Sequence, residues 1–312
     1  SMIPKRHEGS GASALGRLAP VFVVFCGGQM LAQDDVFRAS VDVDLVVLQA
    51  AIHDRKGHSV DGLNKEDFAV YEDGALQTVR LFRHEDTPVT IGLVVDHSGS
   101  MREKMNTVTA AARAFVGASN PRDQMFVVNF NERVSLGLPA EVAFSNQAAA
   151  LAGAIGRAPA EGMTALYDAI GEGLATLRKG EHDKKALILI SDGGDNASQA
   201  KLDQVLDAAH KANAVLYAVG VFDPEDPDRN PAVLRRLARE TGGEAYFPSQ
   251  LGETVEICKR IARDIRDQYT LGYVSENVKR GAYHQIRVVA RSKESGKLTV
   301  RTRAGYIRGE SP

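Results

Sequence analysis

The chain has no tryptophan, and aromatic residues make up only 6% of its 312 positions. That scarcity leaves no stacking platform for single-stranded nucleic acid. Charge of one sign is lacking too. The formal net charge is −2, which gives neither the basic footprint of a nucleic-acid-binding protein nor a polyacidic tail. Only two cysteines occur, Cys26 and Cys258. The apolar neighbours Ile257 and Ile261 favour a buried, inert thiol at Cys258. No apolar run is long enough to span a bilayer comfortably. What is present is ordinary for a soluble globular protein: 44% apolar and 25% charged residues, in a chain that accommodates two domains.

The amino-terminal segment carries a targeting pattern. Ser1-Met2 reads as a cloning remnant. Lys5, Arg6 and Arg17 precede a short apolar run from Leu18 to Phe25, and Met30-Leu31-Ala32 offers a cleavage point before Gln33. Positive flank, apolar core and small-residue exit are the parts of a secretory signal over residues 1–33; an ordinary buried strand is the alternative. Its removal would leave Cys258 without an intramolecular partner. Bulky Phe25 argues against lipid attachment at Cys26. The expected location is therefore secreted, or periplasmic within the cell envelope.

Beyond residue 33 the pattern changes twice. Val41, Val43, Leu45 and Val47 alternate with other residues, the period of a half-buried strand. Phe68–Tyr71 and Thr78–Phe82 flank Asp73-Gly74, a hairpin signal. From Pro88 to Asp267, buried strands at Thr90–Asp96, Met125–Phe130, Ala186–Asp192 and Ala214–Val221, with a short one at Ala245–Phe247, alternate with amphipathic helices. Met101, Met105, Val108, Ala112 and Phe115 share one helical face, as do Leu166, Ile170, Leu174 and Leu177. Asn230-Pro231 opens a helix, Gly242-Gly243 closes it, and Leu251, Val255, Cys258 and Ile265 mark a last one. Such alternation predicts a mostly parallel sheet covered on both faces. Tyr269–Tyr273, Gln285–Ala290 and Lys297–Thr302 then return to β, the last two joined through Glu294-Ser295-Gly296. Each β flank is near the lower limit for an independent core. The economical arrangement is one small β-sandwich built from both flanks, with the α/β domain inserted. The expected divisions are 1–33 (remnant and signal), 34–87 (β flank), 88–267 (α/β domain) and 268–312 (β flank pairing with 34–87).

Three strand-end or helix-start loops carry oxygen donors. Ile91–Val95 runs apolar into Asp96-His97-Ser98-Gly99-Ser100. Thr164 stands before the Leu166 helix, where its hydroxyl is available for capping or ligation. Ile188–Ile190 runs into Ser191-Asp192. In an open α/β sheet, ligands collect at the carboxyl edge of the strands. Asp96, Ser98, Ser100, Thr164 and Asp192 would offer a hard cation an oxygen shell. Mg²⁺ is the expected ion, with Mn²⁺ or Ca²⁺ as alternatives. Ser98 and Ser100 also suit a plain helix cap. Asp195 and Asn196 read as solvated loop residues, Asp168 as a first-turn acid favoured by the helix dipole, and His97 as a rim residue. The run Asp223–Asp228 lacks the glycine turn and terminal glutamate of an EF-hand and reads as a rigid acidic loop.

Asp96-x-Ser98-x-Ser100, Thr164 within Gly162-Met163-Thr164-Ala165-Leu166-Tyr167-Asp168, and Asp192 within Ser191-Asp192-Gly193 resemble the metal-ion-dependent adhesion site of von Willebrand factor A domains. The resemblance implies a Rossmann-like sheet with a divalent ion on top. Ser98 and Ser100 would ligate directly; Asp96, Asp192 and Thr164 would shift between direct and water-mediated contact. Gly62–Phe68, Glu72-Asp73-Gly74 and Arg303–Tyr306 resemble bacterial von Willebrand factor A-related proteins of the kind abundant in acidobacteria. The implied function is non-enzymatic binding of a protein that presents an Asp or Glu carboxylate to the ion. A scaffolding subunit of an envelope complex is the second reading. A haloacid-dehalogenase-like phosphohydrolase is a distant third, because Ser98 stands where a second carboxylate is needed. No catalytic residue is expected.

Overall fold

The computed structural model describes residues 45–222, 229–277, 281–292 and 296–308, all within the unit Val43–Pro312. The signal-like stretch 1–33 with Cys26, the strand start at Val41 and Val43, the acidic run 223–228, and Glu294-Ser295 lie outside the described residues. The first four strands are β1 (Leu45–His53), β2 (Phe68–Glu72), β3 (Ala75–Gln77) and β4 (Val79–Arg83). An alternating portion follows: β5 (Val89–Asp96), α1 (Met105–Ala118), β6 (Gln124–Phe130), β7 (Val134–Leu136), α2 (Ala148–Ile155), α3 (Leu166–Leu177), β8 (Lys184–Ser191), α4 (Leu202–Ala212), β9 (Ala214–Gly220), α5 (Pro231–Thr241), β10 (Ala245–Tyr246) and α6 (Glu253–Arg266). The chain ends with β11 (Tyr269–Val274), β12 (Tyr283–Ser292), β13 (Gly296–Lys297), β14 (Thr299–Arg301) and β15 (Gly305–Ile307).

The alternating portion forms a six-stranded sheet ordered β10-β9-β8-β5-β6-β7, parallel except for β7. All eight residues of β5 are buried, as expected of a strand covered by helices on both faces. Phe115, Met101 and Val108 pack from one side of the chain's principal core, which also takes in Ile170, Leu174 and Leu177 of α3. Each such side chain contributes about 1.5–3 kcal/mol by leaving water. Helix α5 starts as its sequence suggests, with the Asn230 side chain accepting the Val233 N–H at 3.2 Å and Pro231 in the first turn. It closes at Gly242, whose φ of +89° suits glycine; a Cβ there would lie 2.5 Å from the Arg303 nitrogen. The Met101 face is not one continuous helix. Gly99–Lys104 forms a 3₁₀ segment, and α1 begins at Met105.

The remaining strands form two antiparallel sheets, each combining both ends of the described chain. One is ordered β14-β1-β11-β4; the other is β13-β12-β2-β3 with β15 on β12. Strand β1 pairs with β11 from Leu45↔Val274 to Ala50↔Tyr269, and β12 pairs with β2 from Ile286↔Glu72 to Ala290↔Phe68. Leu48, Ile52, Val70, Tyr269, Leu271, Tyr273 and Val288 form the shared core of this sandwich. The result is an α/β domain with a mostly parallel sheet, inserted in a small β-sandwich.

Two local expectations change. In β1 the inward residues are Val46, Leu48, Ala50 and Ile52, whereas Leu45 is 45% exposed. The run Leu45–Leu48 is apolar on both faces, so period two alone does not choose the phase. The hairpin at Asp73-Gly74 pairs β2 with β3, from Glu72↔Ala75, rather than with Thr78–Phe82. Asp73 and Gly74 both have positive φ (48° and 85°), the signature of a two-residue hairpin turn. The turn fixes pairing to the residues beside it, and the chain crosses to the other sheet as β4.

Candidate metal centre

Strands β5 and β8 lie side by side, and the chain proceeds from β5 to β6 on one side before returning to β8 on the other. This is the topological switch point of the sheet. Asp96 is the last residue of β5, and Asp192 immediately follows the last residue of β8. Both emerge at the same carboxyl edge.

Asp96 is fully buried. Its Oδ1 accepts the Ser98 N–H at 2.8 Å, and its Oδ2 accepts the Ser191 hydroxyl at 2.6 Å. Burial first, and then the charge of Asp192, push the Asp96 carboxyl up to about 6. Ser98 occupies the cap position of the 3₁₀ segment, but its side chain makes no capping bond. Its Oγ instead lies 3.1 Å from the Ser100 Oγ, and the Ser100 hydroxyl donates to Asp192 Oδ2 at 2.7 Å. Asp192 is held from behind, its Oδ1 accepting the Gly194 N–H at 2.9 Å.

Thr164 stands on the neighbouring loop. The Gly99 N–H donates to the Gly162 carbonyl at 3.2 Å, and this joins the two loops. Thr164 does not cap α3, whose cap position is Ala165 without a side-chain bond. Its hydroxyl has no hydrogen-bond partner among the described residues, while its N–H donates to Asn196 Oδ1 at 2.9 Å. The Thr164 carbonyl accepts N–H groups of Asn196 and Ala197, both at 3.0 Å. Asp96, Ser98, Ser100 and Asp192 thus form one hydrogen-bonded cluster, with Thr164 on the loop alongside.

Residues around the cluster hold it in place. Ser191 orients Asp96 and accepts the Gly193 N–H at 3.0 Å. Asn196 fixes Thr164 rather than lying free in solvent. Asp195 Oδ1 accepts the Ser198 hydroxyl at 2.5 Å and the Tyr167 N–H at 3.3 Å. Asp168, read from sequence as a dipole acid, accepts the N–H groups of Gln199 and Ala200, each at 2.9 Å, which ties the β8 loop to α3. His97 is not on the rim: it is 1% exposed, its Nε2 3.1 Å from Asn129 Oδ1. Burial lowers its pKa despite that contact. Its carbonyl accepts the Glu161 N–H at 2.8 Å, so this histidine braces the loop from inside.

Residues 90–260, more than half of the chain, match the von Willebrand factor type A domain. The chain belongs to that family. Among solved structures, a von Willebrand factor type A protein from Catenulispora acidiphila has the same fold, at 15% identity and a TM-score of 0.51. The likeness covers 78% of this chain and 74% of that one. Proximal thread matrix protein 1 of the mussel byssus, solved with zinc in its metal-ion-dependent adhesion motif, has a TM-score of 0.51 at 18% identity. That match covers 63% of this chain and 50% of the mussel chain. An uncharacterized Synechocystis protein is 29% identical over 184 residues, 56% of this chain. The chain spans 41% of that relative's length. Von Willebrand factor type A domains are protein-interaction modules, and their adhesion motif binds a divalent metal.

The side chains present suit that ion. The cluster offers two hydroxyls and two carboxylates in mutual contact, with the Thr164 hydroxyl beside them unbonded among the described residues. Among the described residues Asp96 has no cationic partner: its neighbours are Ser98, Ser191 and the like-charged Asp192. A divalent cation would supply the missing positive charge.

Proposed function

We propose that this von Willebrand factor type A protein is a non-enzymatic, divalent-cation-dependent protein-binding module of the cell envelope or exterior. Asp96, Ser98, Ser100, Thr164 and Asp192 hold Mg²⁺, with Mn²⁺ or Ca²⁺ as substitutes. The bound ion supplies a Lewis-acidic position for an Asp or Glu carboxylate of the partner. Hydroxyl ligands from Ser98, Ser100 and Thr164 leave the ion's charge less neutralised than an all-carboxylate shell would. The observation that carries this reading is the hydrogen-bonded run from Ser98 through Ser100 to Asp192 beside the buried Asp96.

The chain's own residues perform three tasks in this scheme. Ser191 and the Ser98 N–H fix the Asp96 carboxylate, Asn196 fixes Thr164, and His97 with Asn129 holds the first loop against β6. The location rests on the signal-like residues 1–33. No helix among the described residues is long and apolar enough to cross a membrane.

The test is Mn²⁺ titration of the full chain followed by electron paramagnetic resonance. One site whose occupancy is lost in Ser98→Ala/Ser100→Ala and whose signal is perturbed by added acetate is expected. Equal Mn²⁺ binding by parent and variant would overturn the reading.

A further inference from the structure

A second cluster of ligating side chains lies in the sandwich, where the Asp73-Gly74 turn meets β12. Glu72, Asp73 and His284 each present a ligand atom, all within 4.8 Å of one another. Glu72 and His284 are buried at 2% and 1% exposure, while the Asp73 side chain is 41% exposed at the turn. The cluster is therefore open to solvent on one side only.

An ordinary ion pair accounts for part of it. His284 Nδ1 lies 2.8 Å from Asp73 Oδ2. Glu72 is the part left over. Its Oε1 accepts the Ser275 hydroxyl at 2.8 Å and the Tyr306 phenol at 3.3 Å, but Oε2 has no hydrogen-bond partner. No lysine or arginine among the described residues pairs with it; among them the chargeable partner is His284, whose Nδ1 is 3.7 Å away. The fully buried Tyr273 hydroxyl makes no well-formed hydrogen bond, and burial first, then its approach to the Glu72 carboxylate, raise its pKa. A buried carboxylate costs several kcal/mol unless paired and hydrogen-bonded. Asp73 is also met by the Gln285 N–H at 2.8 Å and the Asn277 amide at 3.0 Å, whereas the Glu72 charge is met by hydroxyls and a more distant imidazole.

We infer that Glu72, Asp73 and His284 form a second metal site that takes Zn²⁺ through one nitrogen and two carboxylate ligands, with a fourth position open toward solvent. Zinc bonds His nitrogen and carboxylate oxygen at about 2.0–2.2 Å, so tetrahedral ligand atoms stand about 3.3–3.6 Å apart. The separations of 2.8 and 3.7 Å to His284 Nδ1 bracket that spacing. The ion would cross-link β2 and β12 beside the hairpin turn, in a different sheet from the strands that end at the adhesion-site loops.

Zinc stoichiometry of the full chain at neutral pH tests this, measured by equilibrium titration in an Asp96→Asn background that disables the other site. One equivalent should remain in Asp96→Asn, and binding should weaken at least tenfold on adding His284→Gln or Asp73→Asn. Asp73→Asn preserves the turn chemistry, because Asn-Gly favours the same hairpin. Long-range ¹H–¹⁵N spectra of the parent histidines read the site without any substitution, and a zinc-induced shift at His284 Nδ1 is expected. A zinc count independent of Asp73 and His284, or an unmoved Nδ1 resonance at saturating zinc, would overturn the site.

Discussion

Asp96→Asn should separate stability from metal binding in one substitution. Burial and the Asp192 charge raise the Asp96 carboxyl from 3.8 to about 6. A carboxyl whose folded pKa exceeds its unfolded one costs stability at pH values above both. At about 1.4 kcal/mol per unit, the charged Asp96 costs the metal-free fold about 3 kcal/mol at neutral pH. Asparagine removes that charge with little change of shape. Its carbonyl can still accept the Ser98 N–H, and its amide can donate to Ser191 Oγ, which needs only to rotate its hydrogen. Metal-free Asp96→Asn should therefore melt no lower than the parent, and up to roughly 6–12 °C higher for a chain of this size. With Mg²⁺ or Mn²⁺ at a hundred times its dissociation constant, the parent should gain about 2.7 kcal/mol, roughly 5–11 °C. The variant should gain almost nothing under the same conditions. Differential scanning calorimetry with chelator and with metal reads all four states. A variant that is strongly destabilised without metal, or that keeps the parent's metal-induced shift, would refute the reasoning.

Three further outcomes follow from buried charges and thiols. Lys184 is 6% exposed, donates to the Ile265 carbonyl at 3.3 Å, and is pushed by burial down to about 8. Its depressed pKa means the unfolded chain holds more protons between about 8 and 10.5, so parent stability rises across that window. Lys184→Met should be more stable than the parent at pH 7, by up to about 3 kcal/mol, with the gap closing by pH 10.5 in urea titrations; a gap that stays constant with pH refutes this. Arg301 of β14 pairs with Asp264 of α6 at 2.7 Å and with Glu244, and Asp264 also meets His53 at 2.9 Å and the Tyr217 hydroxyl at 2.6 Å. Arg301→Met should cost about 3–5 kcal/mol by stranding a buried carboxylate, and Asp264→Asn in the same chain should recover part of it; a loss below 1 kcal/mol would contradict the clasp. Cys258, 1% exposed with its thiol pushed up to about 12, should resist iodoacetamide at pH 8 until the chain unfolds; rapid native labelling would contradict its burial.

The legible features were those written in continuous chain. β5 and β8 announce themselves as apolar runs buried on both faces, and their last residues point to the candidate site because a strand end is a local feature. Helix α5 is equally plain from Asn230, Pro231 and Gly242. Residues whose role depends on a distant partner were not legible. Ser191 matters through a bond to Asp96, 95 positions away, and Asn196 through Thr164, 32 positions away. His97 looked like a rim residue because nothing in its neighbours reveals Asn129 beneath it. Helix α2 escaped notice because Ala148–Ile155 is apolar all round, with no polar face to set a period. The phase of β1 was lost for the related reason that Leu45–Leu48 offers apolar groups to both sides.

In the proposed site Ser98, Ser100 and Asp192, with Asp96 behind them and Thr164 alongside, hold a divalent ion that accepts an outside carboxylate. Anomalous diffraction from crystals of the full chain grown with Mn²⁺ and acetate tests it most directly. An anomalous peak within bonding distance of the Ser98 and Ser100 hydroxyls, with an acetate oxygen in the ion's shell, is expected. Crystals with Mn²⁺ absent from those hydroxyls, or with a shell closed by protein oxygens alone, would contradict it.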